Sequence, residues 1–373
     1  MKNRNFMVDG REYGPRRVLV IAELGTSHGA DRVKARELIA AAAESGAGCV
    51  KFQMVYADEI LHPNTGEVLL PGGKIRLYDR FRQLELEPSF FAEMKEEVEK
   101  RGLLFLCTPF GLRSAREVRA LGPRCIKIAS PELNFSALLR ELGGYGLPLL
   151  LSAGVSRLGD IEEALAVLRE GEKPAPSICI LHCVTAYPSP ERDYNLRVLG
   201  NLGGVFGLPV GISDHSLDPE LVPALGTAMG AAVVEKHFCL SRKDPGLDDP
   251  IALEPGPFRR MAEAIRRASE AGPEETLAFW SRERGSALVE AILGGGIKEL
   301  APSERANYER TRRSIHALRD IRAGEILGPG MFASLRTERV LRPGLPPAFE
   351  EKITGRRAAA FIPAGEGIRF EDL

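Results

Sequence analysis

Two lysines stand inside runs that are otherwise apolar, Val50-Lys51-Phe52-Gln53 and Ile126-Lys127-Ile128. Lysine is almost never fully buried without a partner. Each is therefore an ion-paired or snorkelling core residue, or a cation with a task. That task is either to clamp an anion or, as in many barrel aldolases, to form a Schiff base. Thr108, Ser130 and Ser152 stand near the ends of other apolar runs. Cations and hydroxyls converging on one point suit a phosphate. His215 and His237 end two further runs. With a carboxylate from Glu23 or Asp248 they would form an open two-imidazole site for a divalent ion, although either ring alone is equally a hydrogen-bonded structural histidine.

These residues need elements to bring them together. Eight short runs rich in Val, Ile and Leu occur at 18–25, 49–53, 104–109, 125–130, 148–154, 178–184, 209–215 and 232–238. Helical patterns lie between and after them, at 31–45, 88–101, 112–121, 135–142, 158–169, 196–202, 219–229 and 257–271. Continuous apolar runs are the mark of parallel strands buried on both faces. Asp31 can cap the first helix, and Gly46, Gly102 and Gly122 stand where a left-handed residue ends a helix. Eight β-α units in about 250 residues predict an α/β fold of the (β/α)8 TIM-barrel type. An open doubly wound sheet is disfavoured, because no Gly-x-Gly-x-x-Gly follows the first run.

In such a barrel, chemistry lies at the C-terminal ends of the strands. Reading those ends in order gives Glu23; Lys51 and Gln53; Thr108; Lys127 and Ser130; Ser152; His182, Thr185 and Tyr187; Asp214 and His215; Glu235 and His237. Buried polar ends cost free energy unless satisfied. One could be a structural ion pair, but eight in succession are hard to explain by packing.

The pattern changes near Gly272. Gly294-Gly295-Gly296 and Ala301-Pro302-Ser303 read as linker. Beyond Thr311 come short strand-like pieces at 314–318, 332–335 and 358–361, with Ile-x-x-Gly-Glu used twice, at Ile321 and Ile362. The expected organisation is a barrel over 1–285, a linker over 286–310 and a small, mostly-β domain over 311–373.

Composition excludes several classes. Of 373 residues, 44% are hydrophobic and 27% charged, which is the balance of a folded protein rather than a disordered one. Lys+Arg 50 against Asp+Glu 51 gives a net charge of −1, with no bias toward nucleic acid or an anionic membrane. Pro223 and two glycines interrupt the longest apolar candidate, 221–234, so no membrane span is expected. Residues 1–17 are polar and lack the apolar core of a signal peptide. None of the six cysteines forms a CxxC pair, and buried free thiols in a reducing cytoplasm are expected.

The run-end motifs resemble those of the sialic acid (N-acetylneuraminate) synthases. They are Ile21-Ala22-Glu23-Leu24-Gly25, Val50-Lys51-Phe52-Gln53, Thr108-Pro109-Phe110, Lys127-Ile128-Ala129-Ser130, Leu151-Ser152-Ala153-Gly154, Leu181-His182-Cys183, Tyr187-Pro188, Gly211-Ile212-Ser213-Asp214-His215-Ser216 and Glu235-Lys236-His237-Phe238. They follow one another in order over nearly the whole chain. The tail from Arg313-Ser314 to Arg342-Pro343-Gly344 is similar to that family's antifreeze-like (SAF) domain.

The resemblance implies condensation of phosphoenolpyruvate with the open-chain aldehyde of an N-acyl hexosamine such as N-acetylmannosamine, releasing phosphate. It implies Mn2+ or Mg2+ on His215 and His237. Phosphoenolpyruvate would be held by Lys51, Lys127, Thr108, Ser130 and Ser152, with Gln53 alongside. Glu23 would orient the sugar and help move protons, and Asp248, Tyr187 and Thr185 would lie around the sugar. Arg342 would reach the N-acyl end from the partner of a domain-swapped homodimer. Departures from the family pattern cluster on the sugar side: Ser27-His28-Gly29-Ala30 replaces Asn-His-Asn-Gly, and Leu247-Asp248-Asp249 replaces Pro-Asp-His. Legionaminic, pseudaminic and spore-coat-polysaccharide-type synthases share the core motifs. Two other readings compete. A Schiff-base aldolase would be trapped by borohydride and indifferent to chelators, whereas a carbohydrate-binding protein without catalysis would bind sugar and release no phosphate.

Overall fold

The alternation of side chains along eight parallel strands builds two cores at once, one inside a barrel and one between barrel and helices. The computed structural model describes residues 5–70, 73–170 and 176–373. Its strands are β1 (Leu19–Gly25), β2 (Cys49–Met54), β3 (Leu104–Pro109), β4 (Ile126–Ile128), β5 (Leu149–Ser152), β6 (Ile178–Cys183), β7 (Val210–Asp214) and β8 (Val233–His237). Hydrogen bonding runs in the order β3-β2-β1-β8-β7-β6-β5-β4, every ladder being parallel. β3 and β4 lie side by side to complete a nearly closed ring.

Ile21, Cys49, Leu106, Cys125, Leu150, Cys179, Leu181 and Val233 fill the lower interior as one cluster. Their neighbours in sequence, such as Ala22, Val50, Phe105, Ile126, Leu151 and Ile180, face the helices in a second, larger cluster. The interior needs a floor, and an N-terminal hairpin (Phe6–Val8 with Arg11–Tyr13) supplies it with Phe6, Val8 and Tyr13. Strands of three residues are too short to give a sequence pattern, so the hairpin is not anticipated. The hairpin Glu67–Leu70 with Gly73–Arg76, inserted after β2, has strands of only four residues and is likewise unanticipated. The six cysteines are buried and free. Among the described residues no helix is long and apolar enough to cross a membrane.

The helices follow the expected spacing, from Arg32–Glu44 after β1 to Pro255–Ala271 after β8. Asp31 caps the first, accepting bonds from the amides of Val33 and Lys34. Gly46 follows it at φ +94°, a conformation that an L side chain resists.

The stretch expected to be linker is fastened rather than free. Ser286–Leu293 and Arg305–Thr311 are helical. Between them, Asn195 of the barrel donates to Ile297 O at 2.7 Å and accepts from Gly296 N at 2.6 Å, while Asn201 donates to Gly296 O at 2.7 Å. In the C-terminal domain β9 (Arg313–Ala317) pairs antiparallel with β10 (Phe332–Arg336). The two Ile-x-x-Gly-Glu copies meet directly: Ile321 and Ile362 exchange backbone hydrogen bonds at 2.9 Å in each direction. The run at 358–361 forms no ladder; Arg357 and Ile362 make single bridges instead.

Arg313 anchors this domain to its own barrel. Its guanidinium is fully buried and pairs with the equally buried Glu132 at 2.9 Å. It also donates to Phe110 O at 2.6 Å, to Ser334 O at 2.9 Å and to Glu59 O. Arg336 meets the same carboxylate at 2.7 Å. Removing one partner of a buried ion pair costs about 3–5 kcal/mol. Glu132→Gln, which leaves two buried guanidinium groups facing each other, should lower unfolding stability by about that amount. Limited proteolysis between residues 294 and 304 should accelerate in parallel.

Candidate active site

Along each strand the inward residues change from apolar to polar toward the C-terminal end. Ile21 gives way to Glu23, Cys49 to Lys51 and then Gln53, Leu106 to Thr108, Cys125 to Lys127, Leu150 to Ser152, and Val233 to Glu235 and then His237. Strand register brings them level: Glu23 pairs with Lys51 across β1 and β2, Gln53 with Thr108, and His237 with Glu23.

Four charges form the centre. Lys51 Nζ lies 2.9 Å from Glu235 Oε1 and 3.3 Å from Glu23 Oε2. Lys127 Nζ lies 3.3 Å from Glu235 Oε1. Ser213 donates to the same oxygen at 3.0 Å, and Gln53 Nε2 donates to Glu23 Oε1 at 2.5 Å. Burial opposes ionisation of Glu235, but the Lys127 and Lys51 ammonium groups outweigh it and hold the carboxyl well below its ordinary range. Glu23 goes the other way: burial, reinforced by the charge of Glu235 and only partly opposed by Lys51, raises it from 4.5 to about 7. Burial lowers Lys127, whereas for Lys51 the two carboxylates overcome burial and raise it.

Beside this cluster the hydroxyls of Thr108 and Ser152 are buried without a hydrogen-bond partner. A buried polar group with no partner loses about 1–3 kcal/mol, which a ligand oxygen would recover. Ser130 Oγ accepts from Gly154 N at 3.0 Å. A side chain at position 154 would press on Ser130 Oγ and Cys183 Sγ, both 3.0 Å from where its Cβ would lie, so glycine keeps this corner open.

A second cluster lies at the ends of β7 and β8. The His215 and His237 rings are 5.5 Å apart, and Tyr187, after a cis Tyr187–Pro188 bond, stacks 4.3 Å from His215. His215 Nδ1 lies 2.9 Å from Val184 O, a carbonyl that can only accept, so Nδ1 carries a proton. Burial opposes the charged ring, but the neighbouring Cys183 outweighs it and raises the pKa of His215. Burial and the neighbouring His215 keep His237 well below its usual pKa. Asp248 Oδ2 is 3.9 Å from His237 Nδ1. Among the described residues no group of three or more His, Cys, Asp or Glu could hold a metal ion. Two imidazoles, with His215 giving up its Nε2 proton on binding, fit a hydrated divalent ion with two protein ligands, not a preformed cage.

The structure thus gathers Glu23, Lys51, Gln53, Thr108, Lys127, Ser130, Ser152, Thr185, Tyr187, His215, His237 and Asp248 at one barrel mouth. Arg342 stands apart: its hydrogen bonds go to Gly367 O at 2.8 Å and Asp372 at 2.7 Å, within the C-terminal domain. Sequence reasoning puts Glu235 at a strand end without a role, and the structure makes it the partner of both lysines. The available signal is its register, two residues before His237 on the same face. His28 packs between Phe52 and Phe90, its pKa lowered to about 4 by burial. His182 bonds Tyr194 O at 2.6 Å.

These features define a (β/α)8-barrel protein with its ionisable residues at the C-terminal mouth and a small β domain attached. The chain belongs to the NeuB family, whose model matches residues 38–276, and a SAF domain matches residues 312–373. An N,N'-diacetyllegionaminic acid synthase of Campylobacter jejuni is 32% identical over 325 residues, 86% of this chain and 91% of that one. The spore coat polysaccharide biosynthesis protein SpsE of Bacillus subtilis is 32% identical over 360 residues, 95% of this chain and 93% of that one. The crystal structure of SpsE superposes with a TM-score of 0.82 at 30% identity, covering 99% of each chain. An N-acetylneuraminic acid synthetase of Leptospira borgpetersenii, solved with citrate, superposes at 0.65 with 28% identity, over 82% of this chain and 96% of that one.

Glu23 gives a pH signature. Its folded pKa of about 7 exceeds the ordinary 4.5, so ionising it costs the folded state stability as pH rises between those values. In metal-free protein, Glu23→Gln should gain stability relative to wild type from pH 5 to pH 8, by up to about 3 kcal/mol. Urea unfolding at the two pH values measures it, and a constant difference would contradict the raised pKa.

Proposed function

We propose that this protein condenses phosphoenolpyruvate with the open-chain aldehyde of an N-acyl hexosamine, giving a nonulosonic acid and inorganic phosphate. The observation that carries this reading is the pair of buried lysines beside two buried hydroxyls without partners. That is a ready cradle for a small, highly charged anion, and it adjoins the imidazoles of His215 and His237. Carbon C3 of phosphoenolpyruvate attacks the aldehyde carbon, whose oxygen takes up a proton. Water adds at C2, and phosphate departs with the bridging oxygen, so the C–O bond breaks and the P–O bond survives.

Lys51 and Lys127, with Thr108, Ser130 and Ser152, hold the phosphate and carboxylate, and Gln53 lies alongside. Glu23, half-protonated near neutrality, holds or delivers a proton at the reacting carbons. Tyr187, Thr185 and Asp248 bind the sugar. His215 and His237 would hold Mn2+ or Mg2+, which when bound polarises the aldehyde oxygen. The enzyme would act in the cytoplasm, without nucleic-acid or membrane partners, as a domain-swapped homodimer in which the Arg313 anchor forms on the partner's barrel in place of its own and Arg342 completes the partner's sugar site.

One observation favours a second reading. Burial lowers the pKa of Lys127 toward a neutral amine, as a Schiff-base nucleophile requires. Lys51 is held charged by its two carboxylates and does not suit that role.

A panel of N-acyl hexosamines offered with phosphoenolpyruvate and Mn2+ tests the proposal. Phosphate should appear with an accepted sugar, and a heavy-oxygen label in the bridging position should end in the phosphate. Chelator should abolish turnover. Trapping by borohydride with pyruvate, and turnover in excess chelator, would favour the Schiff base. Lys127→Ala should weaken phosphoenolpyruvate binding about 10- to 150-fold, the worth of a hydrogen bond to a charged group, with less effect on the sugar. Mixing inactive His237→Ala and Arg342→Ala proteins should restore about a quarter of the sites after subunit exchange, since half the dimers are mixed and each has one intact site. Confirmed exchange without recovery would remove Arg342 from the partner's site.

A further inference from the structure

The segment between barrel and C-terminal domain sends one carboxylate into the barrel mouth. Glu304 is fully buried. Its Oε2 accepts from Val155 N and from Thr185 N, each at 2.9 Å, and its Oε1 accepts from Ala301 N at 3.1 Å. Three residues on, Asn307 Nδ2 donates to Thr185 O at 2.8 Å. Both backbone groups of Thr185 are therefore satisfied from this segment. Val155 is held at φ +40°, a conformation rare for a β-branched residue.

The two loops joined in this way carry much of the site. The loop after β5 begins directly beyond Ser152, the last residue of that strand, and its Gly154 N donates to Ser130 Oγ. The loop after β6 presents Thr185 and then Tyr187, which stacks on His215. Neither Val155 N nor Thr185 N is tied by a strand ladder, and one carboxylate oxygen joins the two. The same helix, Arg305–Thr311, leads straight into Arg313, the anchor of the C-terminal domain.

We infer that Glu304 is a positioning residue: by bridging Val155 and Thr185 it fixes the Ser152 and Tyr187 loops in their catalytic spacing and couples the C-terminal domain to the barrel mouth. The inference rests on the function proposed above. It makes Glu304 necessary for accurate placement, not for contact with substrate.

Hydrogen exchange, circular dichroism and steady-state kinetics on full-length Glu304→Gln, Glu304→Ala and Asn307→Ala test it. Glutamine keeps one acceptor, so its effects should be intermediate; alanine keeps none. Exchange at the Val155 and Thr185 amides should quicken at least about 10-fold in Glu304→Ala, as expected when a bond to a charged group worth ~1.5–3 kcal/mol is lost. Per folded site, kcat should fall and the sugar KM should rise, each about 10-fold or more, with Glu304→Gln between alanine and wild type. Asn307→Ala should move in the same direction by less, and it keeps the test open should the Glu304 variants not fold. Faster exchange with unchanged kcat and KM per folded site would reduce Glu304 to a stabilising contact and overturn the inference. Unchanged exchange at both amides would overturn it as well. The exchange measurement needs no turnover. An inactive wild type with quickened exchange in the variants would thus sink the proposed reaction and leave the bridge itself standing.

Discussion

Everything at the barrel mouth depends on Glu235, a single carboxylate oxygen shared by two lysines. Two ammonium groups buried side by side would repel each other and shed protons. Glu235 Oε1, within 3.3 Å of both, keeps them together, and Ser213 holds that oxygen in place. Glu23 then becomes the adjustable charge. The strong counterion role is already filled, so burial governs Glu23 and brings it near neutrality. The paired environments push two carboxyls in opposite directions, one held ionised by its lysines and the other brought near neutrality by burial. An incoming anion meets lysines that are already positioned, with hydroxyls that have no competing partner. It pays little reorganisation on arrival.

The barrel is legible in the sequence because its signals are local and repeated. Each strand is a continuous apolar run, and each is followed by a helix with its own stop. The site is legible for a related reason: once the runs are strands, their polar ends must converge, as Lys51, Lys127, His215 and His237 do. What resists reading is pairing across long separations. Lys51 and Glu235 are 184 positions apart, and Arg313 and Glu132 are 181. Residue type alone does not say whether a charged strand end meets substrate or another strand end. The N-terminal hairpin is silent because its strands have three residues each. The glycines at 294–296 read as linker, yet asparagine side chains of the barrel bind the backbone of Gly296.

The two halves of the site are built differently. Lys51, Gln53, Thr108, Ser152 and Glu235 stand within strands, where ladder hydrogen bonds fix each residue's height. Thr185, Tyr187 and Asp248 stand on loops, held by side chains from elsewhere. Loops tolerate sequence change better than strands do. A fold of this kind can therefore keep one set of chemistry-bearing residues while its loops diverge, and the departures from the sialic acid synthase motifs fall on loops.

Those departures are not independent of one another. Ser27 stands where the resemblance leads one to expect asparagine, and Asp249 where it leads one to expect histidine. In the structure Ser27 Oγ donates directly to Asp249 Oδ1, and Gly246 N donates to Asp249 Oδ2 at 2.9 Å. Next to them Leu247 N donates to Thr26 Oγ1 at 3.3 Å. Asp249 is fully buried. A buried carboxylate needs its hydrogen bonds, and a serine hydroxyl supplies one that the longer asparagine would have to make from a different place. The two changes therefore belong to one structural unit that joins the loop after β1 to the loop after β8. That unit sets the position of Asp248, the adjoining residue, without itself having to touch a sugar. A difference in acceptor, where one exists, would come through the placement of Asp248 beside His237 rather than through direct contact of Ser27 or Asp249 with substrate.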